Sequence, residues 1–288
     1  MAETGNEAAW GDRRPAGWRA GLLKLCHRLP AGAGWRRLAL WLRKPLKSCL
    51  RGPVDIEVWD LQLRLVPQGN LSEQRLLMMP QFLDPDEREA LDEELKEGGV
   101  FLDIGANAGI YSLWVASRPG QNARVEAFEP DPDLCARLQE NLARNNLTNV
   151  RLHRYALGEE EGTVHLQRGS RNLGENVIST GGTGREVPMK RLNDVLRDHG
   201  IGAVRALKID VEGHEVPVLR PYFAEVPRDS WPRLIVCELG REPVGPEDVE
   251  IGRLLLDHGY EMQKRGRLNG LFYRQEGEAR LAARDKPC

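Results

Sequence analysis

The sequence predicts an α/β fold: a mostly parallel, twisted sheet with helices on both faces and a C-terminal antiparallel hairpin. Three observations carry this reading. From residue 99 to 275, short apolar runs alternate with segments of helical period, the pattern of a sheet buried on both faces. The first of these runs, Val100–Ile104, passes straight into a glycine-containing turn and a helix. The last two, Tyr260–Gln263 and Leu271–Arg274, read as a hairpin.

Taken in order, residues 1–16 are small and charged, and 17–52 form two apolar-basic stretches separated by Leu29-Pro30-Ala31-Gly32. In the second stretch Trp35, Leu38, Leu42, Leu46 and Leu50 fall at helical spacing, while Trp41 lies off that stripe and Pro45 is expected to kink or interrupt it. Two readings compete for 17–52: a helical layer packed on the core, or a basic amphipathic element giving peripheral membrane contact. Residues 53–98 form a strand-and-helix extension. Residues 54–67 alternate as half-buried strands, and Asp84-Pro85-Asp86-Glu87 supplies a cap, a first-turn proline and acidic residues for a helix to about Lys96. Residues 99–275 are the expected catalytic domain, and 276–288 a polar tail. Within the domain, Ala123–Phe128, Val150–Tyr155, Ala206–Ile209 and Leu234–Glu238 read as strands, and segments starting at Ala108, Pro132 and Asp248 as helices.

Hydrophobic residues make up 41% and charged residues 29%, which excludes a disordered chain. The net charge of −2 conceals an asymmetry: residues 1–52 hold 11 Lys/Arg against 3 Asp/Glu, the remainder 30 against 40. This argues against a nucleic-acid-binding surface spread over the whole protein. The five cysteines, Cys26, Cys49, Cys135, Cys237 and Cys288, have no metal-ligand spacing. They read as reduced thiols, and no metal is expected. The polar start is unlike a signal peptide and no apolar run spans a bilayer, so a cytoplasmic protein is expected, with the membrane surface as the alternative.

The most informative segment is Phe101-Leu102-Asp103-Ile104-Gly105-Ala106-Asn107-Ala108-Gly109. A strand that ends in glycines before a helix is where open α/β sheets bind nucleotides. A dinucleotide site wants G-x-G-x-x-G, so that backbone can meet a pyrophosphate. Here Asn107 stands in the place of the second glycine. That favours a ligand without a pyrophosphate, such as S-adenosyl-L-methionine, with Asp103 facing its amino group. Glu129, at the end of the next strand, is placed to accept hydrogen bonds from ribose hydroxyls, and Ala156 to flank an adenine. Gly105, Asn107 and Gly109 complete the expected cofactor set.

A second dense segment, Leu207-Lys208-Ile209-Asp210-Val211-Glu212-Gly213-His214-Glu215, ends another strand on the same sheet edge. Asp210 reads as a cofactor or substrate contact, and Asp210, Glu212 and His214 as candidates for removing a proton from an acceptor hydroxyl. Lys208 is expected to alternate outward into an ion pair. Arg171 and Asn172, in the polar glycine-rich stretch 167–186, and Glu238, ending the strand Leu234–Glu238, are candidate substrate contacts.

These segments together resemble the FkbM family of methyltransferases. The resemblance rests on residues 101–109, 127–131 (Ala-Phe-Glu-Pro-Asp), 156–158 (Ala-Leu-Gly), 207–215 and Glu238. It spans roughly residues 98–275 and leaves 1–52 uncovered. It implies a Rossmann-like class I methyltransferase fold and O-methylation of a small-molecule hydroxyl, with a sugar, glycan or lipid-linked glycan as the leading acceptor. The alternatives are a non-catalytic S-adenosylmethionine-binding partner protein and a nucleotide-dependent oxidoreductase.

Overall fold

A computed structural model describes residues 8–167, 177–179, 184–240, 245–266 and 268–275. Two helices, α1 (Trp18–Arg28) and α2 (Ala33–Cys49), form an N-terminal hairpin. α2 runs through Pro45 instead of breaking there. Pro45 is exposed, so water can satisfy the carbonyl that its missing N–H leaves free. A two-stranded ribbon follows, β1 (Val54–Val58) with β2 (Leu61–Leu65), then α3 (Leu71–Met78) and α4 (Pro85–Glu94).

The alternation expected for the catalytic domain is present. It comprises β3 (Gly99–Ile104), α5 (Ile110–Ala116), β4 (Ala123–Phe128), α6 (Pro132–Arg144) and β5 (Val150–His153). Next come β6 (Ala156–Gly158), β7 (Gly162–Gln167), β8 (Val177–Ser179), β9 (Arg185–Arg191) and α7 (Leu192–Asp198). The chain continues with β10 (Ala206–Ile209), α8 (Glu215–Glu225), β11 (Leu234–Glu238), α9 (Glu250–Asp257), β12 (Tyr260–Arg265) and β13 (Asn269–Arg274). The main sheet has the order β12-β13-β11-β10-β3-β4-β5. The five strands from β11 to the edge strand β5 are parallel, and β12 and β13 pair antiparallel at the other edge. Strand order reverses between β3 and β10, which makes the crevice above that pair the topological switch point.

Side-chain alternation divides the core into two layers. Phe101, Val125, Ala127, Ala206, Leu234 and Val236 face a cluster that includes α3, α4, the ribbon and the N-terminal hairpin. Leu102, Ile104, Phe128, Leu207, Ile209, Ile235 and Cys237 face the opposite cluster with α7, α8 and α9. A period of two along each strand produces this division.

Three segments depart from the expectations. Residues 156–191 carry a second sheet, β6-β9-β7-β8, where a long polar loop was expected from 167 onward. α8, not expected from the sequence, begins at Glu215, the last residue of the 207–215 segment, and contains Pro217 in its first turn and Pro221 further in. Asp84 does not cap α4 with its side chain: it adopts a left-handed backbone (φ 43°), and its carboxylate accepts from Tyr111 Oη at 3.1 Å.

Candidate active site

A cavity of about 330 Å³ opens at the carboxyl ends of β3, β4, β10 and β11, at the switch point. That size falls within the range of small-molecule sites. Its floor is the turn after β3. Gly105 has φ 73°, and a Cβ there would lie 2.0 Å from the Asp210 carbonyl oxygen. The glycine lets the two strand tips touch. The amides of Gly105 and Ala106 both donate to the Phe128 carbonyl, tying the turn to β4. Gly109 (φ 84°) caps α5 and leaves room for Leu138 of α6, which a Cβ would meet at 2.1 Å. It is not among the residues that line the cavity, and what the structure shows of it is this close packing.

Asn107 lines the cavity with φ 55°. Its amide donates to Glu129 Oε2 at 2.8 Å, while its side-chain Oδ1 accepts from Asn70 Nδ2 at 2.6 Å and from Ala108 N at 2.7 Å. Asn70 also caps α3, accepting from Glu73 N. The wall formed by Leu71, Ser72 and Arg75 of α3 is thus joined to the glycine turn through two asparagines.

Glu129 is buried on the cavity wall and accepts from the amides of Asn107 and Asp131. Burial raises its carboxyl to about 7, against the lowering by these amides. Asp131 caps α6 by accepting from Asp133 N, so Glu129 is not needed for that task. Phe128, Leu134, Tyr155, Ala156 and Leu157 make an apolar slot beside it. Tyr155 is fixed by a buried chain in which its hydroxyl meets His153 Nδ1 at 2.8 Å and His153 Nε2 meets Glu126 at 2.6 Å.

Asp103 departs from expectation. It is fully buried beneath the turn and does not line the cavity; its Oδ2 accepts from the amide and hydroxyl of Ser112 at 3.0 and 2.6 Å. It anchors the start of α5 to the end of β3. Lys208 departs in the other direction. It is buried at the cavity wall instead of pointing outward, donates to the Gly105 carbonyl at 3.0 Å and lies 3.5 Å from Asp210 Oδ2. The expected ion pair forms, but inside the site. Attraction to Asp210 and Asp103 holds the ammonium above its usual range against the opposing effect of burial.

Asp210 and Glu238 meet at the tips of adjacent strands and share a hydrogen bond. Burial first, then the neighbouring Asp210 charge, raises Glu238 to about 7. Glu212 lines the cavity in a left-handed conformation (φ 51°). His214 does not: it stands at the start of α8, outside the lining residues. Arg171 and Asn172 lie outside the described residues.

The sequence reading missed Asn70, Tyr111 and Asp84, all of which help build the site. For Asn70 a signal existed, since Asn-x-x-Glu before an apolar run is a helix-start pattern. Tyr111 and Asp84 lie 27 residues apart, and no local pattern joins them. Among the described residues no His/Cys/Asp/Glu cluster could hold a metal, and Cys26, Cys49, Cys135 and Cys237 are free thiols. No helix of the described residues is long and apolar enough to cross a membrane.

A cavity at the switch point of a mostly parallel sheet, acidic at one end and apolar at the other, fits a ligand with a cationic end and a nucleoside end. With that site, the fold is that of a Rossmann-like, S-adenosylmethionine-dependent methyltransferase. Residues 103–262 match the methyltransferase FkbM domain model, and the chain belongs to the FkbM family of methyltransferases. It is 32% identical over 202 residues to the 31-O-demethyl-FK506 methyltransferase FkbM of Streptomyces tacrolimicus, covering 58% of this chain and 74% of that one. It is 30% identical over 205 residues to the methyltransferase sdnD of Sordaria araneosa, covering 59% and 76%. With the hexuronic acid methyltransferase AglP of Haloferax volcanii it shares 34% identity over 131 residues, 44% of this chain and 52% of the relative.

Proposed function

We propose that this methyltransferase transfers its methyl group to a hydroxyl, and that the Asp210–Glu238 pair receives the hydroxyl proton. The observation that carries the reading is the pair itself. Two carboxyl groups on the tips of paired strands line one cavity wall, and burial, the Asp210 charge and the Asp210 hydrogen bond raise Glu238 to about 7. A base with a pKa near the working pH combines the correct protonation state with adequate driving force. S-adenosylmethionine, when bound, supplies an electrophilic methyl group on a sulfonium. The chain's part is to align the acceptor oxygen with that methyl, exclude water and accept one proton.

Glu129 is the residue we assign to the ribose hydroxyls. The amides of Asn107 and Asp131 orient it, and it lines a cavity bordered by an apolar slot suited to adenine. Lys208 holds Asp210 and the Gly105 carbonyl in place. Asp103 and Gly109 act beneath the site, by fixing the turn and α5. The polar groups Ser72, Arg75, Asp84, Tyr111, Glu212 and Asn269 that line the cavity suit a polyhydroxylated acceptor. A sugar or glycan hydroxyl is therefore the proposed acceptor class, and the relative named a hexuronic acid methyltransferase supports the sugar part of that reading.

The experiment is a panel of glycosides, uronic acids and simple alcohols, incubated with methyl-labelled donor and followed by NMR of the product. Methyl ethers on sugar hydroxyls are expected. Glu238→Gln should cut turnover by roughly 10²-fold or more, a larger effect than on donor affinity. Methylation on nitrogen or carbon, or full turnover by Glu238→Gln, refutes the proposal.

A further inference from the structure

The N-terminal hairpin carries a surface that the methyltransferase site does not use. Its inner side is well anchored. Leu23, Cys26 and Leu29 of the first helix and its C-terminal boundary, with Ala39, Leu46 and Leu50 of the second, belong to the core cluster. His27 Nε2 meets the Leu77 carbonyl at 2.8 Å, and Gln81 Nε2 donates to the carbonyls of Cys26 and Leu29 at 2.7 and 3.1 Å.

The outer side is a different surface. Trp18 (55% exposed), Leu25, Trp35, Leu38 and Trp41 (65%) are the exposed large hydrophobics among the described residues, and all five lie in this hairpin. Trp18 and Leu25 are seven apart on α1, and Leu38 and Trp41 three apart on α2, so each pair forms an outward stripe. Because the opposite face of each helix enters the same core cluster, both stripes turn away from the protein body. The stripe expected from the sequence is thereby split: Leu46 and Leu50 are buried, while Trp35 and Leu38 face outward.

Charge selects the occupant. Residues 17–52 contain nine Lys/Arg and no Asp or Glu, and Arg19, Lys24, Arg28, Arg37, Lys44 and Lys47 are exposed. A second copy docked through this face would oppose two cationic, carboxylate-free surfaces. Tryptophans and leucines set among basic side chains match instead the interfacial region of an anionic bilayer, where indoles settle at headgroup depth and Lys/Arg meet lipid phosphates. We propose that the α1–α2 hairpin docks the enzyme onto anionic phospholipid membranes, lying in the interface without crossing it. The hairpin's anchors run to the α3–Gln81 segment, whose first turn lines the catalytic cavity. Docking there places the site near the membrane surface.

The test is flotation of the full-length chain with vesicles of phosphatidylcholine alone or with phosphatidylglycerol added. Binding to the anionic vesicles should exceed binding to the neutral ones by about tenfold or more, and fall steeply as salt rises from ~0.1 to ~1 M. Tryptophan emission should shift to the blue on binding. Trp18→Ser/Trp41→Ser and, separately, Arg37→Glu/Lys44→Glu should each reduce anionic binding about tenfold or more, with melting temperature and donor affinity unchanged. Absence of wild-type binding to anionic vesicles at low salt overturns the proposal. So does equal binding to neutral vesicles, or a salt-resistant dimer in sedimentation that Trp41→Ser dissolves.

Discussion

Replacing Gly105 by alanine is the most localised perturbation of the site. At φ 73° a Cβ costs about 1–2 kcal/mol for the left-handed backbone alone. The new methyl would lie 2.0 Å from the Asp210 carbonyl oxygen, where ordinary contact needs well over 3 Å. The obstacle is backbone, so no rotamer change relieves it, and the two strand tips must separate by an ångström or more. Lys208 bridges this junction through the Gly105 carbonyl and Asp210, so the separation also loosens the buried ammonium. A total destabilisation of roughly 2–4 kcal/mol follows by combining the backbone cost with a weakened charged hydrogen bond. Displacing Asp210 by an ångström should also lower turnover about 10²-fold. Urea denaturation measures the first quantity and single-turnover methyl transfer the second. A Gly105→Ala protein with wild-type stability and turnover refutes the claim that strand-tip contact organises the site.

Other residues give separable outcomes. Glu129→Ala should weaken donor binding by roughly 1–3 kcal/mol in calorimetry, the loss of charge-assisted hydrogen bonds; unchanged affinity removes Glu129 from the site. The wild-type carboxyl titrates at about 7 in the free protein, so donor affinity should rise with pH through that value as the acceptor form becomes populated. The same elevation means that the native state holds this proton more tightly than the unfolded chain. Its contribution to stability is therefore lost as pH rises from about 4.5 to 7, on the order of 3 kcal/mol; Glu129→Gln should flatten that part of the denaturation profile. Asn70→Ala removes both the α3 cap and the link to Asn107, and should cost about 1–2 kcal/mol in thermal unfolding while raising the donor Kd. A melting temperature matching wild type contradicts this reading of Asn70.

The main sheet was legible where its strands are short apolar runs, and three of them, residues 123–128, 206–209 and 234–238, fall at the expected positions. The floor of the site was legible for a related reason: glycines and carboxylates crowd at strand ends. Local pattern did not reveal which of these side chains enter the cavity. Asp103 and Lys208 are register partners on adjacent strands, yet one lies beneath the turn, held by Ser112 nine residues on, and the other at the wall, held by the Gly105 carbonyl 103 residues away. Gly109 looked like a ligand contact because its spacing from Gly105 suggested one, whereas Leu138 of α6 requires it. α8 was obscured by Pro217 and Pro221, and the second sheet by the three-residue length of β6 and β8 and the polar residues of β7 and β9. The hairpin's split between buried and exposed apolar residues depends on where α3 and the ribbon sit, and a single helix's periodicity does not encode that.

The most direct test of the central claim is the pH dependence of methyl transfer at saturating donor, which removes the free-state titration of Glu129 from the profile. With a sugar hydroxyl as acceptor, wild-type kcat/KM should rise through an acid limb near 7 that belongs to the Asp210–Glu238 pair. Glu238→Gln should lose that limb and fall roughly 10²-fold or more at its plateau. An unshifted limb and an unchanged plateau in Glu238→Gln would contradict the account.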